Sequence, residues 1–81
     1  MSVRINYRFT GDLDDEVWEG SFSFPGDVSS VVRSNGVIGG AKTTKAAALE
    51  SDIFKMARKA LRADHGSQDY IKQKIWVDAQ D

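Results

Sequence analysis

Val3-Arg4-Ile5-Asn6-Tyr7-Arg8-Phe9 puts an apolar side chain at every odd position and a polar one at every even position. Successive strand residues point to opposite faces, so this period of two predicts a half-buried strand with Val3, Ile5, Tyr7 and Phe9 inward. Residues 10–15, with Gly-Asp-Leu-Asp-Asp, read as a polar turn. A second strand follows over 16–24, with Trp18, Phe22 and Phe24 on one face and Val17, Glu19, Ser21 and Ser23 on the other. Two strands joined by a short polar turn predict a β-hairpin, which Pro25-Gly26 ends.

Further along, Thr43 or Thr44 can cap a helix that runs to about Asp64. Ala46, Leu49, Ile53, Met56, Ala57, Ala60 and Leu61 follow helical spacing and make one apolar stripe. Lys55, Arg58, Lys59 and Arg62 form a basic ridge on the other side. His65-Gly66 reads as the stop, with His65 favourable to the dipole and Gly66 in the left-handed conformation. A last strand is expected over 70–78, with Ile71, Ile75 and Val77 inward and Tyr70, Lys72, Lys74 and Trp76 outward. Residues 27–40 admit two readings. Val28, Val31, Val32, Val37 and Ile38 with the turn Asn35-Gly36 suit a short hairpin or third strand; Asp27 as cap and Gly36 as stop suit a turn or two of helix.

The order β-β-(β)-α-β predicts an α+β fold over 1–81, a single domain. An antiparallel sheet of three to four strands carries one long helix on one face. The expected core is Val3, Ile5, Tyr7, Phe9, Trp18, Phe22, Phe24, Ile71, Ile75, Val77 and the helix stripe. The opposite sheet face stays open to water or a partner.

Eleven Lys and Arg oppose twelve Asp and Glu, and 41% of the 81 residues are apolar, an ordinary globular composition. That excludes a histone-like basic protein and a disordered tail. No apolar run approaches the ~18 residues of a membrane helix, and the N-terminus lacks a signal-peptide core, so the cytoplasm is the expected location. Without Cys there is no disulfide framework or thiolate metal site, and His65 as the only His allows no multi-His metal site. No cofactor is expected. No two convergent catalytic groups can be named, so the reading is not that of an enzyme.

Gly36-Val37-Ile38-Gly39-Gly40-Ala41-Lys42-Thr43 nearly spells a phosphate-binding loop. That loop needs Gly before the Lys so that backbone N–H groups can wrap the phosphates, and here Ala41 stands in that place. Gly39, Gly40 and Lys42 beside a helix N-terminus could still hold an anion weakly. Asp12, Asp14, Asp15, Glu16 and Glu19 cluster in the hairpin turn without the spacing of a calcium loop. They read as solvated surface or as a negative patch for a basic partner, such as the nucleic-acid channel of another protein. Residues 1–32 carry two basic and six acidic side chains, residues 33–74 nine basic and four acidic, so the chain is electrically bipolar.

The open sheet face is expected to gather Trp76, Lys72, Lys74 and Tyr70 from the last strand, with Arg4, Asn6 and Arg8 beside them if the first and last strands are neighbours. Aromatic and basic side chains on a sheet can stack bases and neutralise phosphates. They equally suit a protein interface, where Trp, Tyr and Arg are common anchors.

The stretch Gly39-Gly40-Ala41-Lys42-Thr43-Thr44-Lys45-Ala46-Ala47-Ala48 resembles the start of the last helix in double-stranded RNA-binding domains. That resemblance implies that Lys42 and Lys45 grip phosphates. Separately, the ridge Lys55, Arg58, Lys59 and Arg62 reads as solvated surface or as an alternative nucleic-acid contact. A hairpin over 3–9 and 18–24, one long helix over 44–64 and a closing strand over 71–77 are similar, in size and architecture, to small phage-encoded anti-CRISPR proteins. This second resemblance implies a non-enzymatic inhibitor that occupies a bacterial nucleic-acid-targeting defence complex, through acidic side chains that mimic nucleic acid or through an aromatic anchor. The expected partner is then a protein or ribonucleoprotein complex of the host, the contact residues being the open face and the acidic turn. A small RNA- or DNA-binding module is the alternative. No membrane partner is expected, and the chain is read as a monomer or small homo-oligomer.

Overall fold

The computed structural model describes residues 2–11, 16–67, 69–71 and 74–80. Strands β1 (Ser2–Thr10) and β2 (Val17–Pro25) form the expected hairpin, paired antiparallel from Ser2 opposite Pro25 to Thr10 opposite Val17 without a bulge. Strand β3 (Ile75–Gln80) pairs antiparallel on the other side of β1, giving the order β2-β1-β3. Helix α1 (Thr44–His65) lies on one face. The fold is therefore α+β, a three-stranded antiparallel sheet with one long helix.

Alternation decides which way each strand faces. Ile5, Tyr7 and Phe9 are buried while Arg4 and Arg8 are exposed. Ile53, Ala57 and Leu61 of α1 close the core over Ile5, Val77 and Phe24. Full burial of an aliphatic side chain of this size contributes about 1.5–3 kcal/mol, so this layer dominates the stability. Phe54 also enters the core, one position beyond the expected stripe. Trp18 and Phe22 are only half-buried. They flank Gly20, which stands opposite Tyr7 in the hairpin. The ring of Tyr7 lies across Gly20, and a Cβ there would fall on its hydroxyl end.

The helix begins where the Thr43 hydroxyl accepts the Ala46 N–H at 3.0 Å, an N-cap that satisfies one orphan donor. It ends at Gly66, whose N–H donates to the Arg62 carbonyl at 3.0 Å. Gly66 has φ 84° but ψ 177°, so the expected positive φ is present and the expected left-handed helical ψ is not. The chain leaves the helix in an extended direction that a side chain would oppose.

Residues 27–40 combine parts of both readings. The Asp27 carboxylate accepts the Ser29 N–H at 2.9 Å and the Ser29 hydroxyl at 3.1 Å. One 3-10 turn follows at Ser29–Val31. A bridge joins Val32 to Ile38 across the Asn35-Gly36 turn. Residues 36–38 then lie along β3: the Ile38 N–H donates to the Val77 carbonyl at 2.9 Å and the Ala79 N–H to the Gly36 carbonyl at 3.0 Å. These bridges cover the outer edge of β3 without forming a fourth strand.

The expected last strand over 70–78 is corrected. A turn, in which the Lys74 N–H donates to the Ile71 carbonyl at 3.1 Å, precedes β3, so the period of two does not extend back to Tyr70. Ile71, expected in the core, is 41% exposed, and Tyr70, expected outside, is buried. The Tyr70 ring meets Phe9 edge-on at 5.1 Å. Its hydroxyl donates to the Gly66 carbonyl at 2.6 Å, closing the C-terminal end of α1.

Candidate functional site

β1 is the central strand, so its outward side chains have neighbours on both sides. Arg8 stands between Glu19 of β2 and Trp76 of β3, and Asn6 between Ser21 and Asp78. This face carries no helix, because α1 covers the other one. Trp76 is 45% exposed. The Arg8 guanidinium lies 5.5 Å from the centre of its ring, within cation–π range. The Trp76 indole N–H donates to Asp78 Oδ2 at 3.2 Å, and Asp78 Oδ1 accepts Asn6 Nδ2 at 3.1 Å. The exposed ring is thus held from two sides. Beside it, Asn6, Arg8, Glu19, Ser21, Trp76 and Asp78 line an open hollow of about 440 Å³.

The structure brings together Trp76, Arg8 and Glu19, with Arg4 on the same face four positions along β1 from Arg8 and opposite Ser23. It removes Tyr70, which faces the core because it precedes the strand. Lys74 sits half-buried one residue before β3. Lys72, Asp12, Asp14 and Asp15 lie outside the described residues. Glu16 is at the hairpin's mouth, where its carbonyl accepts the Gly11 N–H at 2.8 Å. Asn6 lies on the face where it is expected, while Asp78, which links it to Trp76, is an addition from the structure. Asp78 stands two residues beyond Trp76, on the same side of the strand, which is the signal the sequence offered.

The alternative basic set does not join this face. Lys55, Lys59 and Arg62 are exposed on α1, across the sheet from Trp76. Arg58 is half-buried, and its Nε donates to the Tyr70 carbonyl at 3.0 Å, a structural contact. At the other end of α1, Lys42 shares a hollow of about 390 Å³ with Arg33, Gly39, Gly40 and Thr43. Lys45 is exposed in the first turn. Arg33 joins this group through the turn at 34–36, which spacing alone did not place there.

Among the described residues two titrating groups are perturbed, Tyr7 by burial and Asp27 by a neighbouring turn. Burial raises the Tyr7 hydroxyl above its ordinary 10.0, reinforced by its hydrogen bond to Asp64 and by that carboxylate's charge. Hydrogen bonds from the Ser29 backbone and hydroxyl lower Asp27 below its ordinary 3.8. His65 stacks on Trp18 at 4.3 Å with nearly parallel rings. Among the described residues, no three His, Cys, Asp or Glu side chains converge where they could hold a metal ion. No helix among them is long and apolar enough to cross a membrane.

Compared with known protein families, curated proteins and solved structures, the chain matches none.

Proposed function

We propose that this protein is a non-enzymatic binding module that docks its open sheet face on the surface of a protein or ribonucleoprotein complex. The observation that carries this reading is the exposed Trp76, fixed between Arg8 and the Asp78–Asn6 pair. An aromatic side chain held in place before binding loses little rotamer freedom on docking, which is the economy of a preorganised anchor. Trp and Arg are also the side chains that most often carry interface energy. Nucleic acid fits this face less well. Glu19 and Asp78 stand next to Arg8 and Trp76, and phosphates approaching the ring would meet both carboxylates. A protein surface can supply the matching charges of both signs.

The form we favour is an inhibitor that occupies a bacterial nucleic-acid-targeting defence complex. It rests on the resemblance in size and architecture and on the mixed charge of the face. The test is capture with the tagged protein from nuclease-treated bacterial lysate, in parallel with Trp76→Ala. Expected is a stoichiometric complex that the variant loses, and whose nucleic-acid binding falls when the purified wild-type protein is added. Recovery of nucleic acid alone, sensitive to salt, or a complex indifferent to Trp76→Ala, overturns the reading.

A further inference from the structure

The two edges of the sheet differ. Residues 36–38 cover β3, while β2 lies at the other edge and pairs only with β1 among the described residues. The hydrogen-bond phase of β2 follows from one contact. Gly11, whose N–H donates to the Glu16 carbonyl, continues the hairpin register, so Glu16 and every second residue after it bond inward to β1. Val17, Glu19, Ser21 and Ser23 therefore present their backbone N–H and C=O outward. An open edge of this kind is a template for another strand, and proteins usually blunt it with bulges, lysines or proline. Here there is no bulge, Pro25 stands only at the end, and Glu19 is the one charge between Val17 and Pro25.

We infer that β2 pairs antiparallel with β2 of a second copy, about a two-fold axis at Ser21. Charge decides in favour of this occupant. The axis sets Ser21 against its own copy and Glu19 against Ser23 of the second chain, so the only charge in the strand does not face its like. On the helix side, Phe22 meets Gly20 and Trp18 meets Phe24 of the second chain. These are non-hydrogen-bonded positions of the new pair, where side chains approach most closely, and the half-buried Trp18 and Phe22 gain cover. The product is a six-stranded sheet. Its open face is continuous and carries two Trp76 sites on outer strands about 24 Å apart, at ~4.8 Å per strand.

The two proposals are separable by their readouts: this one is read by the mass of the free protein, and the docking reading by capture of a partner with Trp76→Ala. The test is sedimentation of the full chain over a rising concentration series, with two variants. Ser21→Pro removes an N–H that points outward and leaves the β1–β2 ladder intact; Ser21→Lys places two like charges at the axis on an exposed side chain. Wild type is expected at twice the 9.0 kDa chain mass. Both variants are expected at the single mass, with far-ultraviolet circular dichroism unchanged. A wild type that stays at the single mass at its highest soluble concentration overturns the inference, and so does a dimer that survives Ser21→Lys with the fold intact.

Discussion

Replacing Trp76 by Ala separates a docking anchor from a side chain that merely covers the sheet. Trp76 leaves 45% of its surface in water. For a ring of roughly 250 Å², that is about 110 Å² available to a partner. At about 25 cal/mol per Å², its burial on docking is worth up to ~2.8 kcal/mol. Because Arg8 and Asp78 already hold the ring, little of this is lost to ordering. The expected loss of affinity is about 2–3 kcal/mol, or roughly 30- to 150-fold in Kd. The fold should lose less. The variant forfeits the exposed cation–π contact, about 0.5–1 kcal/mol, and a cross-strand pair of about 0.2–1 kcal/mol. The assay is titration calorimetry against the captured partner, beside urea unfolding of both chains. A Kd within about threefold of wild type, with unfolding unchanged, would refute the anchor argument, because that much area cannot be buried without a measurable term.

Gly20→Ala should shift the urea midpoint by the equivalent of about 2–4 kcal/mol, since the new methyl meets the buried Tyr7 ring and breaks its hydroxyl bond to Asp64; an unchanged midpoint would show that Tyr7 has room to move. Tyr7, raised above 10.0 by burial first, contributes stability that is full below that value and lost as pH rises through the folded pKa. Tyr7→Phe should therefore flatten the alkaline limb of the stability curve, and equal slopes in both chains above pH 10 would contradict the assignment. Arg58→Ala should cost about 1–2 kcal/mol through the lost bond to the Tyr70 carbonyl, while Lys55→Ala, Lys59→Ala and Arg62→Ala stay within about 0.5 kcal/mol. If instead each lowers the salt slope of nucleic-acid binding by about 1, the ridge is a phosphate contact surface.

Side-chain order specifies orientation where a regular element continues without interruption. The alternation of 3–9 placed Arg4 and Arg8 on the open face, and the stripe from Ala46 to Leu61 oriented the helix. Tyr70 and Ile71 depart from their expected faces because the Lys74 N–H bonds back to the Ile71 carbonyl before β3 begins. A strand's period is informative only between the points where its hydrogen bonding begins and ends. Arg58 looked like one of four equivalent cations. Its difference lies in a carbonyl twelve residues away, which helical spacing does not specify.

Local chemistry in the sequence was enough to determine the hairpin, the Thr43 cap, the long helix and the exposure of Trp76, because each depends on residues within a few positions of one another. Long-range pairing decided the rest. Putting β3 beside β1 brings Trp76 to Arg8 and Asp78 to Asn6, 72 positions apart. The same choice leaves β2 as the uncovered edge. Neither outcome has a local cause: strand order follows from which arrangement buries both apolar faces under one helix, a property of the whole packed chain.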